Sequence, residues 1–348
     1  MLRLVLALLC GCALAGLHSQ PLVLLAVPAA GQSFIYEDPA ADQAIRHAMQ
    51  ATYNLDLVEA RKTARNLQKS LPDHPAGFLL DAETYWWEAQ ADPTRKDIED
   101  EYFKVQDKTV DLGEKALKAK KYPVIEIKAY LASAWGSKAR FRLTQDGVGW
   151  STVRDGMHAH GYAEDVYKAA PNYTDILVGI GAYNYFTGKI PTVLKPFAIL
   201  FGARGNATLG LQQIRTVIEK GRYAQTEARI VLFTALMEDE QYQKSLDVVT
   251  QLMSDYPGNY ALYPWVTQWY REQEKHVAGV EYFEKLAAQK QASSVKLAQY
   301  ALFEKAVLQS EQRPPADARA TLARLKGLAA PDAALARTIR SLESRLKR

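Results

Sequence analysis

Cysteine is nearly missing: the 348-residue chain has two, Cys10 and Cys12, both in its first dozen residues. The rest of the chain therefore has no thiol nucleophile, no disulfide and no Cys-based metal site. Charge of one sign is also missing. Lys plus Arg number 43 against 39 Asp plus Glu, a net +4, which is too balanced for a nucleic-acid binder built on a clustered basic surface. The chain lacks Gly-x-Ser-x-Gly, His-Glu-x-x-His and the dinucleotide fingerprint, which argues against the common hydrolases, metalloproteases and dehydrogenases. The Gly-rich stretch Thr144 to Trp150 has no Lys followed by Ser or Thr, so it is not a phosphate-cradling loop. His158 and His160, two apart, diverge on a helix and do not make a metal pair, and no cofactor or metal is expected.

Alternating β-branched runs are scarce as well, and what is present is helical. At the amino terminus Arg3 precedes an apolar run, Leu4 to Ala15, and a second run from Pro21 to Ala30, a layout that resembles a secretory signal peptide. Cleavage after Ala30 is favoured over cleavage after Ala15, because the earlier cut would leave Leu22 to Val27 exposed. A retained anchor and lipidation at Cys12 are the alternatives. The expected destination is the periplasm or cell envelope of a bacterium, with secretion as the other option.

From residue 31 onward apolar residues recur at three and four positions, punctuated by Pro, Gly or Asn. Ala60, Ala64, Leu67 and Pro72 stand at offsets 0, 4, 7 and 12. The same offsets return at Ala159, Ala163, Val166 and Pro171, and at Ser245, Val249, Leu252 and Pro257. Gly279, Phe283 and Leu286 fit the first three. Positions 0, 4 and 7 form one helical stripe, a small head residue lets a partner helix approach, and Pro ends the helix. Thr226 to Tyr260 to Ser294 is a stride of 34 taken twice, and Ala41 to Pro75 repeats it.

These positions resemble the second helix of the tetratricopeptide (TPR) repeat. The resemblance implies an all-α, right-handed superhelix of stacked helix-turn-helix pairs in a single domain, 31–348. The expected pairs are 41–74, 75–122, 123–172, 173–221, 226–259 and 260–292, with insertions at 90–100 and 143–150. The middle, 143–222, is irregular, and solvated capping helices occupy 312–348. A second stretch, Ala198 to Leu211, resembles TPR proteins linked to lipid-droplet and inclusion-body clearance, and no function is carried over from it.

In the TPR family the first helix of each pair lines a concave groove. The register places groove positions at Glu83, Trp86, Trp87, Asp175, Tyr185, Phe186, Glu227, Gln268 and Arg271. Such a lining suits an extended peptide or a partner helix, whereas the family's peptide-carboxylate clamp is not reproduced. The other reading of Trp86, Trp87, Tyr185 and Phe186 is core between adjacent pairs. Two functions follow: a non-enzymatic exported scaffold or adaptor that binds another polypeptide, or an enzyme or small-ligand receptor with its site at 143–190, near Gly147, Trp150, Asn184, Tyr185 and Gly188.

Overall fold

A computed structural model of the chain describes residues 33–145, 147, 149–191, 204–312 and 316–347. The expected leader, 1–30, and the stretch 198–203 lie outside them. The described residues form an all-α solenoid in which each helix packs chiefly on its neighbours in sequence. Fifteen α-helices are described: α1 (Pro39–Tyr53), α2 (Leu57–Ser70), α3 (Ala76–Ala91), α4 (Asp97–Ala119), α5 (Val124–Gln145), α6 (Trp150–Ala169), α7 (Leu177–Gly188), α8 (Ala207–Lys220), α9 (Gln225–Glu238), α10 (Tyr242–Asp255), α11 (Tyr263–Glu272), α12 (His276–Gln291), α13 (Val295–Ser310), α14 (Ala316–Leu328) and α15 (Ala333–Leu346). No strand occurs among the described residues. The helices pair as the stripes require.

Burial follows those stripes. Ala60, Ala64 and Leu67 on α2, Ser245, Val249 and Leu252 on α10, and Phe283 and Leu286 on α12 are all buried. Gly279 heads its stripe because a Cβ there would come within 2.6 Å of Leu308 and 2.8 Å of Tyr270. The corners repeat too. Leu55, Glu240 and Glu274, each fourteen residues after Ala41, Thr226 and Tyr260, adopt left-handed backbone with φ of 60°, 56° and 54°. At each corner the next residue donates its N–H to a carbonyl five back: Asp56 to Ala51, Gln241 to Leu236, Lys275 to Tyr270, all at 2.9 Å. This is the Schellman closure of a helix C-terminus, made here without the glycine that usually relieves it.

The insertion at 143–150 leaves Gly147 and Gly149 outside helix, between α5 and α6, but the one at 90–100 is mostly helix. The expected break at 90–100 shrinks to the short link between α3 and α4, and the extra length goes into α4 (23 residues), α5 (22) and α6 (20). Nothing from Asp97 to Ala119 punctuates a helix except Gly113, whose missing Cβ leaves room for Leu131 at 2.7 Å. Helix starts are capped by Asp38, Asp56, Asn206, Ser294 and Asp332, each accepting a first-turn N–H.

The solenoid curls tightly enough for its first pairs to touch its later ones. One hydrophobic core joins Tyr53, Trp86 and Trp87 to Phe233, Trp269 and Tyr270. Trp87 meets Tyr53 edge-on at 6.1 Å and stacks on Trp265 at 6.5 Å, and Trp265 stacks on Phe233 at 5.1 Å. Beyond it, Arg337 on α15 pairs with Asp92 and donates to Thr94 at 3.2 Å.

Candidate functional site

Four of the nine groove residues come together on the inner face: Glu83, Trp86, Trp87 and Glu227. Arg140, on α5, joins them. Its guanidinium pairs with Glu83, lies 4.0 Å from Glu227, and sits 4.0 Å above the Trp86 ring. Ser137, one turn back on the same helix, donates to Glu83 at 2.5 Å. Tyr53, at the end of α1, donates its hydroxyl to Glu227, and Thr226 and Tyr256 share a hydrogen bond of 2.6 Å beside it.

Two carboxylates thus share one guanidinium. Burial pushes the Glu227 carboxyl above its ordinary value; Arg140 pulls it down and Glu83 pushes it up again. Burial also works against the Arg140 charge, but Glu83 and Glu227 outweigh it and raise its pKa. The Tyr53 hydroxyl is held protonated well above the usual range, by burial first and by Glu227 second. The three charged side chains are recessed yet still touch solvent, with exposures of 17% for Glu83, 24% for Arg140 and 25% for Glu227.

The aromatic groove positions are closed off. Trp86 and Trp87 are 2% exposed and Tyr185 is fully buried, so they are core and present no free surface. Trp87 is covered across the curl by Trp265, whereas Tyr185 is covered by the adjacent α9. Tyr185 reaches Ala235 O and Asp239 Oδ1, each at 2.8 Å, and Phe186 packs edge-on against it at 5.1 Å. Asp175 gathers the corner before α9, accepting from the backbone N–H of Arg222 at 2.7 Å and Tyr223 at 2.9 Å. Gln268 is exposed, and Arg271 forms an ion pair with Glu311. Those five do not join the inner cluster.

Sequence reasoning missed Arg140 and Tyr53. Tyr53 stands twelve residues after Ala41, the spacing that separates Trp87 from Pro75, so applying the same register to the first pair would have found it. No such signal marks Arg140, because the lengthened α5 breaks the register.

The residues named for a site in the irregular middle do not converge. Trp150 is 59% exposed, Gly147 has open space around it, Asn184 donates to Gln213 at 2.8 Å, and Gly188 packs on Ala207. An open cleft of about 490 Å³ lies between Lys189, Leu211, Gln212, Arg215 and Asp239, and a smaller one of about 170 Å³ between Tyr36, Tyr173, Asp175, Arg222 and Tyr223. Tyr185 and the other four line neither. Among the described residues no group of three or more His, Cys, Asp or Glu is placed to hold a metal, and no helix is long and apolar enough to cross a membrane.

No protein-family description matches this chain, and no curated protein is recognisably similar to it.

Proposed function

We propose that the protein is a non-enzymatic, exported TPR-like adaptor whose inner face binds another polypeptide. The observation that carries this reading is the Glu83–Arg140–Glu227 cluster: two carboxylates against one guanidinium leave surplus negative charge in a recess that solvent still reaches. Such a recess favours a lysine or arginine side chain of the bound chain, because a recessed charge is screened less than a surface one. The helix pairs and the leader-like sequence of residues 1–30 support the adaptor and export parts of the reading.

The test is an array of extended twelve-residue peptides probed with the chain beginning at Gly31, beside a Glu83→Gln, Glu227→Gln double variant of unchanged circular dichroism. Peptides rich in Lys or Arg are expected to be enriched with the wild type, with binding at least tenfold weaker in the variant. No enrichment, or equal binding by both proteins, would sink the reading. Amino-terminal sequencing of the protein recovered from the cell envelope checks export, the expected first residue being Gly31.

A further inference from the structure

The inner face already has an occupant, α1. Near its start Asp42 forms an ion pair with Arg222 at 3.0 Å and accepts from the Tyr223 hydroxyl, while Arg46 donates to the Arg222 carbonyl at 3.3 Å. At its end Tyr53 donates to Glu227, Asn54 Oδ1 accepts from Gly258 N at 2.8 Å, and Asn259 Nδ2 donates to the Tyr53 carbonyl at 2.7 Å. The two receiving corners, around Arg222 and around Tyr256, stand 34 residues apart and precede the first helices of two successive pairs. A helix laid across two neighbouring repeats therefore meets one corner at each end. Asp42 and Tyr53 are eleven residues apart, three turns, so both project from one side of α1, about 17 Å apart along the axis.

Toward these corners α1 is polar apart from the Tyr53 ring, and it places only one large ring, that of Tyr53, in the core beside Ala41, Ile45, Ala48 and Ala51. By contrast α11 buries Tyr263, Val266, Trp269 and Tyr270. The corner contact is also close, since a Cβ on Gly258 would stand 2.7 Å from the Asn54 carbonyl oxygen.

We propose that α1 is a built-in competitor for this surface, and that the partner it excludes is a helix with a carboxylate in its first turn and a hydrogen-bond donor three turns later. The inference rests on the polypeptide-binding reading above and adds its regulation. Arg222 receives the carboxylate, Glu227 receives the donor, and the partner gains access only when α1 swings away. Its apparent affinity is reduced by the fraction of molecules in which α1 is displaced.

The probe is a fluorescent synthetic peptide of residues 38–56, titrated against the chain beginning at Gly31 and against its Asn54→Ala and Asp42→Asn variants, which alter α1 and leave the receiving corners intact. Hydrogen exchange is followed over residues 39–53 in the same proteins. The expected result is that α1 exchanges faster than α3 in the wild type, and at least tenfold faster again in the variants. Peptide affinity is expected to rise by a matching factor, and Asp42→Asn in the peptide to remove the gain. Exchange of α1 in step with α3 in every protein overturns the proposal, as does faster α1 exchange with unchanged peptide affinity. Failure of the twelve-residue array beside success of this probe would retire the cationic-peptide reading and leave the exclusion by α1 standing. Success of the array with no response to loosening α1 would do the reverse.

Discussion

The pairs α9–α10 and α11–α12 and the pairs α3–α4 and α5–α6 solve one packing problem in two ways. The former keep a stride of 34 and close their corners with matching left-handed residues, Glu240 and Glu274. The latter abandon the stride, lengthen their helices to as many as 23 residues, and carry the charged groups, Glu83 and Arg140, that reach inward. The regular half contributes Glu227, on α9, to the same cluster. A repeat that must stack on identical neighbours has its inner positions fixed by packing, whereas a lengthened helix can bring a side chain such as Arg140 to the centre of the curl.

The contact between the two regions is where the comparison breaks most easily. Trp87, buried between Tyr53, Trp86 and Trp265, joins the irregular half to the regular half. Trp87→Ala is expected to cost about 4 kcal/mol in urea unfolding, in the range for truncating a buried aromatic ring. A loss under about 1 kcal/mol would mean that the halves are stable apart.

A pH titration of stability sharpens the difference next. Burial pushes Glu126, on α5, up to about 8, and Glu304, on α13, up to about 7. Both hold a proton in the folded protein over a range where the unfolded chain has released it. Stability therefore falls as pH rises from about 4.5, by about 1.4 kcal/mol per pH unit for each group, until pH 7 for Glu304 and pH 8 for Glu126. His74 acts in the opposite sense, since burial lowers it to about 4; its contribution is lost as pH falls from 6.5 through 4. His160, also lowered by burial, acts with His74, and Glu227 and Asp81, also raised by burial, act with the two glutamates. Glu126→Gln keeps an acceptor for Ile35 N, which the wild type holds at 2.9 Å, and is expected to make the fall less steep between pH 6.5 and 8, most of all between 7 and 8. A slope unchanged by this substitution would refute the assignment.

The smallest expected effect tests the regular half. Glu240→Gly and Glu274→Gly relieve a left-handed backbone and should each stabilise by about 0.5 kcal/mol in thermal unfolding, the relief being partly offset by the greater freedom of glycine when unfolded. Leu55→Gly should gain less, because Leu55 also packs against the core. Destabilisation at both glutamate corners would show that their side chains, not their backbone, hold the turns.

Much of the regular half is legible in the sequence. The stripes headed by Ala60, Ser245 and Gly279 mark second helices to within a residue or two, because small residue, large residue and proline each answer a local packing demand. The lengthening of α4 is not legible from a period, since a helix that overruns its repeat differs from a loop only in lacking breakers. Glu83 and Glu227 follow from the register, while the covering of Trp87 by Trp265 depends on curvature. Curvature is summed over many pairs, and no single repeat records it.

The tie between Arg337 and Asp92 spans 245 positions of sequence. In an open repeat array each pair can dock as soon as its neighbour exists, and the ends fray independently. Here α3 meets its last partner only after Arg337 has been made, and α15 brings Leu335, Ile339 and Leu342 into the core at the same stage. The chain's final closing step is set by the order of synthesis.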